Sequence, residues 1–221
     1  MKFVVSFAAA ALLAVPASAV ELVVNGGFES PVTSNGGFAQ FAGGSSFAGW
    51  SVLGNDVIII NTNYNEQGLG FNANSGSNSI DLTGAGNTGP TNGVTQTIGT
   101  NLGNYTLRFF VGNASPTGGN GNSYTQPSTV NLSINGGAIQ SFTNATDTPN
   151  AVNWKQFSVS FFTETPTIIT FTNGTVGDNM LGLDDVSVTA TVPEPSVWGM
   201  MILGFGLVGF AARRRATAIT A

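Results

Sequence analysis

Thr129-Val130-Asn131-Leu132-Ser133-Ile134, the pair Asn135-Gly136, and the run Ala138 to Phe142 that follows decide the fold. In an extended chain Val130, Leu132 and Ile134 share one face, while Asn131 and Ser133 take the other. Asn-Gly suits the two-residue type I′ turn because both central residues need positive φ. The stretch therefore reads as a β-hairpin with one apolar face. Outward from it, short apolar alternations recur at Leu22 to Val24, Val57 to Ile60, Ser79 to Leu82, Val94 to Ile98, Tyr105 to Val111, Lys155 to Phe162, Thr167 to Phe171 and Leu181 to Val188. Asn, Gly, Ser and Pro clusters separate them, the pattern of an all-β sandwich. In Lys155 to Phe162, the residues Phe157, Val159 and Phe161 are expected to line the core.

Composition agrees. The 221 residues include 30 Gly and 23 Asn, types that favour turns over helix interiors, so a helical bundle is excluded. With no His and no Cys, Ser-His-Asp and Cys-His catalysis, imidazole or thiolate zinc sites and disulfides are excluded. A net charge of −5 and no basic stripe argue against nucleic acid as a partner. Between Val20 and Val192 only Arg108 and Lys155 oppose ten acids, which favours neutral or basic partners. Few charges and many Asn, Ser and Thr suit hydrogen bonding to hydroxyl-rich ligands.

The two ends read as sorting segments. Lys2, an apolar run from Phe3 to Val15, and Pro16-Ala17-Ser18-Ala19 form a secretory signal peptide over 1–19, cut after Ala19 at the site marked by Ala17 and Ala19. Residues 196–212 carry no charge; at ~1.5 Å per helical residue they just reach a hydrocarbon core of ~30 Å. Arg213-Arg214-Arg215 follow and place the last residues on the cytoplasmic side. Gly204, Gly206 and Gly209 spell a dinucleotide-binding pattern with too little chain after them for a βαβ unit.

The order Pro193-Glu194-Pro195, then Val197-Trp198-Gly199-Met200-Met201, then the glycine-containing apolar helix, then Arg213-Arg214-Arg215 resembles the PEP-CTERM sorting signal, PEPxxWAM subtype. The resemblance implies export, transient anchoring in the inner membrane by the helix, and processing by the membrane protease exosortase. The product would then stand on the cell surface or in the extracellular matrix of an exopolysaccharide producer.

A second resemblance covers the middle. Asn25-Gly26-Gly27-Phe28-Glu29, Gly49-Trp50, Ser79-Ile80-Asp81-Leu82, Tyr105-Thr106-Leu107-Arg108-Phe109 and Leu183-Asp184-Asp185-Val186-Ser187-Val188 are similar to galactose-binding-like jelly rolls, the fold of many carbohydrate-binding modules. The expected architecture is a jelly-roll β-sandwich over 20–190, with the sorting segment over 191–221. In the resembled modules, acids near Glu29, Asp184 and Asp185 hold a structural Ca²⁺. Those residues are the candidate metal ligands, since Ca²⁺ takes six to eight oxygens.

Adjacent Asp184 and Asp185 in a strand should point to opposite faces, unlike the paired carboxylates of a glycosidase. Alternation also breaks there, which predicts a β-bulge. Tyr64, Tyr124 and Trp50 are the candidate ligand-binding aromatics, because a sugar ring offers an apolar face and a polar rim. The resulting expectation is a non-catalytic, surface-sorted domain that binds polysaccharide. The alternatives are a self-associating matrix protein and a hydrolase or lyase using Asp56, Glu66 or Asp81.

Overall fold

A computed structural model describes residues 19–66, 68–85, 91–114, 124, 127–175, 180–191, 199, 201–207 and 213. Val20–Ala190 forms one compact unit and Met1–Ala19 with Thr191–Ala221 the other. In the second, 201–207 is helical and exposed. No helix among the described residues is long and apolar enough to cross a membrane. Ala17, Pro193, Glu194, Pro195, Trp198, Arg214 and Arg215 lie outside the described residues; Ala19 and Arg213 are described and exposed.

Val20–Ala190 is a jelly-roll sandwich. Its strands are β1 (Phe38–Ala42), β2 (Ser46–Phe47), β3 (Trp50–Leu53), β4 (Asp56–Asn61), β5 (Asn65–Glu66), β6 (Leu69–Gly70), β7 (Asn78–Asp81), β8 (Gly93–Ile98), β9 (Gly103–Ala114), β10 (Ser128–Ile134), β11 (Gln140–Asn144), β12 (Val152–Thr163), β13 (Thr167–Asn173) and β14 (Leu181–Ala190). One antiparallel sheet runs β1-β4-β7-β14-β9-β12, the other β11-β10-β13-β8-β3-β2, and β5-β6 is a separate ribbon.

The hairpin forms as its sequence requires. Asn135 and Gly136 both take positive φ, 52° and 68°, and Gly137 N–H donates to Ile134 O at 2.9 Å. Val130 and Leu132 are fully buried, with Phe142 packed against the same core. Between the sheets, Val57, Ile59, Ile80, Leu107, Phe109, Leu183 and Val188 meet Trp50, Val52, Val94, Val130, Leu132, Ile169 and Phe171. An aromatic spine crosses this core: Phe28 to Trp50 at 5.5 Å, Trp50 to Phe171 at 6.4 Å, and Phe171 to Phe109 at 5.1 Å. Phe157, Val159 and Phe161 pack against its margin, partly buried.

Leu22 to Val24 does not form a strand. Only Glu21 makes a β-bridge, to Thr189. At Val24 the partner is the Gln96 side chain, whose Oε1 accepts from Val24 N and whose Nε2 donates to Val24 O. A side-chain amide thus does locally what a neighbouring strand would do. The sequence reading missed β1 and β3, short strands set among glycines.

β4, like its neighbour β7, is buried along its whole length. Val57 and Ile59 face the main core. Ile58 and Ile60 join a second apolar cluster with Leu69, Phe71, Ala114, Val152 and Met180, against which Tyr64, Tyr124 and Trp154 pack. Because side chains alternate along a strand, this cluster lies on the outer face of the first sheet. That outer face holds the site.

Candidate active site

On that face a cavity of about 260 Å³ opens between β1, β4, β7 and the loop segments beside them. Asp81, the last residue of β7, lines it, in register with Ile58 of β4 and Gly182 of β14. Asp81 Oδ1 accepts from Thr83 N at 2.9 Å, Thr83 Oγ1 at 2.8 Å and Leu181 N at 3.1 Å. No basic group lies among the lining residues. Burial pushes the Asp81 carboxyl up to about 7; the bonds from Thr83 and Leu181 pull the other way, and Asp56 adds a small upward push. A carboxyl shifted this far keeps its proton below neutral pH and can give or take it near pH 7.

Asp56, the first residue of β4, is buried beside the turn that follows Asp81. Its Oδ2 accepts from Gln40 Nε2 at 2.7 Å and from Ala85 N at 2.9 Å. The turn Thr83-Gly84-Ala85 is therefore pinned at both ends by carboxylates. Gly84 has φ +76°, and a Cβ there would stand 2.2 Å from Asp56 Oδ1, so only glycine lets the turn approach.

Four aromatic rings wall the cavity. Phe38 meets Tyr64 edge-on at 5.6 Å, Tyr64 meets Phe71 at 5.3 Å, and Phe71 meets Tyr124 edge-on at 6.2 Å. The turn after β4 places Tyr64: Asn61 Oδ1 accepts from Gly36 N and Asn63 N, and Tyr64 N donates to Asn61 O. Phe71 N then donates back to Tyr64 O at 3.0 Å, closing the loop that carries β5 and β6. Tyr124 Oη donates to Glu66 Oε2 at 3.3 Å. Burial, with Glu66 second, raises the Tyr64 phenol above its ordinary value.

Trp154 lies over paired glycines next to this wall. A Cβ on Gly112 would be 2.9 Å from the indole and one on Gly182 2.7 Å, and Trp154 Nε1 donates to Asn72 O at 2.8 Å. The ring holds Asn72, and hence Phe71, against the sheet.

The structure thus brings together Tyr64, Tyr124, Glu66 and Asp81 from the sequence candidates. It does not bring Trp50, which is fully buried in the main core with its Nε1 bonded to Asn25 O. Sequence reasoning missed Phe38 and Phe71; Trp154, weighed beside Trp50 as a strand-flanking ring that packs inside, stands next to the cavity wall. One signal was present: four consecutive apolar residues, Val57 to Ile60, announce a strand covered on both faces.

Glu29, Asp184 and Asp185 form a second acidic group. They surround Gly27, whose Cβ would lie 3.5 Å from Asp185 Oδ1, 3.8 Å from Glu29 Cγ and 4.0 Å from Asp184 Oδ1. The register shift between Asp184 and Ser187 is the expected bulge. It corrects the expectation of opposite faces: Asp185 takes φ +48°, and both aspartates reach one loop. Asp184 Oδ2 accepts from Asn74 N at 2.9 Å, while Asp185 Oδ2 accepts from Asn74 Nδ2 at 2.6 Å. Glu29 Oε1 accepts from Ser77 N and Asn78 N. Burial, then the charge of Asp185, pushes the Asp184 carboxyl up to about 8. Hard oxygen donors of this kind suit Ca²⁺. As placed, however, the carboxylates are turned to N–H and O–H donors, and among the described residues no three acidic groups close on one point.

The profile of the HpiC1-like family, described as HpiC1 cyclase, matches residues 20–173. The chain belongs to the HpiC1-like family. Residues 191–215 match the PEP-CTERM protein-sorting motif, the mark of an exported, exosortase-processed protein. The HpiC1-like domain is similar to a cyclase from Fischerella sp. TAU, with 17% identity, 78% of this chain and 98% of that chain covered, and a TM-score of 0.54. The same values hold for the Stig cyclase Fisc of that organism in complex with (3Z)-3-(1-methyl-2-pyrrolidinylidene)-3H-indole. The xylan-binding domain CBM22-1 of Paenibacillus barcinonensis Xyn10C is similar at 14% identity over 72% of this chain and 95% of that one, with a TM-score of 0.42. No curated protein matches the chain.

Family membership corrects the expectation of a non-catalytic domain. That expectation rested on the lack of His and Cys and on the lack of a carboxylate pair at glycosidase spacing. A single buried acid escapes both tests, because what makes it reactive is its surroundings in the fold.

Proposed function

We propose that this is an exported, surface-sorted HpiC1-like protein whose cavity performs proton-assisted ring chemistry on a flat, electron-rich organic substrate, with Asp81 as the acid. One observation carries the reading: a buried carboxyl, raised to about 7, lies at the wall of an aromatic-lined cavity. Among the described residues Oδ1 takes all three hydrogen bonds to this group, which leaves Oδ2 to carry the proton toward the cavity. Rings of Phe38, Tyr64, Phe71 and Tyr124 would stabilise positive charge that develops on a protonated substrate, since aromatic faces attract cations.

The indole complex of the similar cyclase suggests a probe. Indole in D₂O exchanges its C3 hydrogen by protonation of the ring and loss of the original proton, a reaction followed by NMR. The whole chain should accelerate this exchange, and Asp81→Asn should lower the acceleration about 100-fold, the low end for general acid catalysis. Exchange at the buffer rate, or an undiminished rate in Asp81→Asn, would refute the reading.

Polysaccharide is the second reading. It is favoured by Tyr64 and Tyr124, which offer rings and hydroxyls to one cavity with Glu66 beside them. Glycan-array binding that is lost in both Tyr64→Ala and Tyr124→Ala, without any indole exchange, would favour it. In either case the delivery proposed is cleavage after Ala19, anchoring by 196–212 until exosortase acts near Pro193-Glu194-Pro195, and exposure of 20–190 outside the cell. Glu29, Asp184 and Asp185 would have to turn away from the N–H and O–H donors they now hold before they could share a Ca²⁺.

A further inference from the structure

We infer that the cavity selects organic monocations: a protonated or quaternary amine attached to a flat ring, with the ammonium group at the Glu66 end. The inference rests on the cavity being the functional site and adds its charge selectivity. Its walls hold four aromatic rings, two carboxyl groups and no Lys or Arg, and the chain has no His. An aromatic cage closed by a carboxylate is the arrangement that recognises an ammonium group, each favourable ring contributing through its negative face. A neutral ring would satisfy Phe38 and Phe71 equally well but would bring no charge to the Glu66 carboxylate.

No distant cation neutralises the site. Of the two basic residues between Val20 and Val192, Lys155 is an edge-strand residue whose Nζ lies 5.1 Å from the Phe157 ring centroid, at the margin of the main core. Arg108 is on β9, four residues along from Gly112, which stands two strands from Asp81 through Gly182. With ~3.4 Å per residue and ~4.8 Å between strands, the backbone of Arg108 lies about 17 Å from that of Asp81, and a side chain of ~6 Å leaves its charge about 10 Å or more away. A separation of that size exceeds the ~8 Å Debye length at physiological salt. An anion entering the cavity would therefore meet only negative or neutral groups.

The test compares tryptamine with tryptophol, which share the indole and chain length but differ in carrying an ammonium or a hydroxyl group. Calorimetric titration of the whole chain in nanodiscs reads both. Tryptamine should bind about tenfold more tightly, the ratio expected of one well-placed cation–aromatic and carboxylate contact. Glu66→Gln, on a partly exposed strand end where folding is not at stake, should bring the two within about threefold by weakening tryptamine. Equal binding, or tighter tryptophol, would overturn the charge selectivity but keep the cavity as an indole site. If neither ligand binds to protein with an intact thermal transition, both the inference and the reading beneath it fall. A preference for tryptamine that survives Glu66→Gln and Tyr124→Leu together would also overturn it.

Discussion

Replacing Asp81 by Asn gives the most decisive test of the buried acid, because the substitution keeps shape and removes titration. Thr83 N, Thr83 Oγ1 and Leu181 N all donate to Oδ1, so the Asn carbonyl oxygen can keep them and the new amide can face the cavity. In the unfolded chain the carboxyl titrates near 3.8; in the fold it is pushed up to about 7. The folded protein therefore holds a proton that the unfolded chain gives up across this window. Stability from this group is full below pH 3.8 and is lost as pH rises through 7. At about 1.4 kcal/mol per pH unit the full loss is roughly 4 kcal/mol, and local relaxation around the ionised carboxylate lowers the expected figure to about 2–4 kcal/mol. Urea unfolding at each pH from 4 to 8 should show Asp81→Asn gaining on the parent by that amount toward pH 8, with little difference at pH 4. Parallel stability curves over the whole range would refute the placement of a neutral acid in the cavity wall.

Other expectations follow from packing and from the second acidic group. Phe171→Ala removes a fully buried ring between Trp50 and Phe109 and should cost about 3–5 kcal/mol in chemical denaturation. Gly182→Val forces a branched side chain into the Trp154 ring, 2.7 Å from the first added carbon. It should cost about 1–3 kcal/mol and slow indole exchange, by tilting the ring that holds Asn72 and Phe71; an unchanged melting temperature would sink this account. Ca²⁺ titrated calorimetrically into chelator-treated protein should give no binding heat, because the carboxylates of Glu29, Asp184 and Asp185 are held by N–H and O–H donors; saturable binding that Asp184→Asn abolishes would refute this. Mature protein collected outside the cell should lack Trp198 and all that follows it, so mass spectrometry that finds Arg213 to Ala221 on secreted material would contradict processing.

Much of the sandwich was legible because its information is local. Alternation at Val130, Leu132 and Ile134, the Asn135-Gly136 turn and the broken alternation at Asp184-Asp185 each involve residues within a few positions of one another. Local reading failed where a partner from far along the chain replaced the ordinary one. Val24 was expected in a strand and is instead bonded by Gln96, 72 residues on. The two aspartates were expected on opposite faces, but a single residue at φ +48° turned both toward Asn74. For the cavity, Tyr64 and Tyr124 could be named as loop aromatics, yet nothing in their neighbourhoods says that they share a wall with Phe71. Trp50 carries the same chemistry and lies in the main core.

The sequence by itself determined what depends on contiguous residues: an all-β domain, the sorting tail with its Pro-Glu-Pro, apolar and basic blocks, and the exclusion of histidine and cysteine chemistry. Only the tertiary structure decided which buried acid lines the cavity. Of the carboxylates weighed, Asp81 differs from Glu66 not in residue type but in being taken out of water by β4, β14 and the Thr83 turn, elements from three parts of the chain. Desolvation depends on what surrounds a group in space, and a carboxyl's proton affinity follows from that environment rather than from its neighbours in sequence.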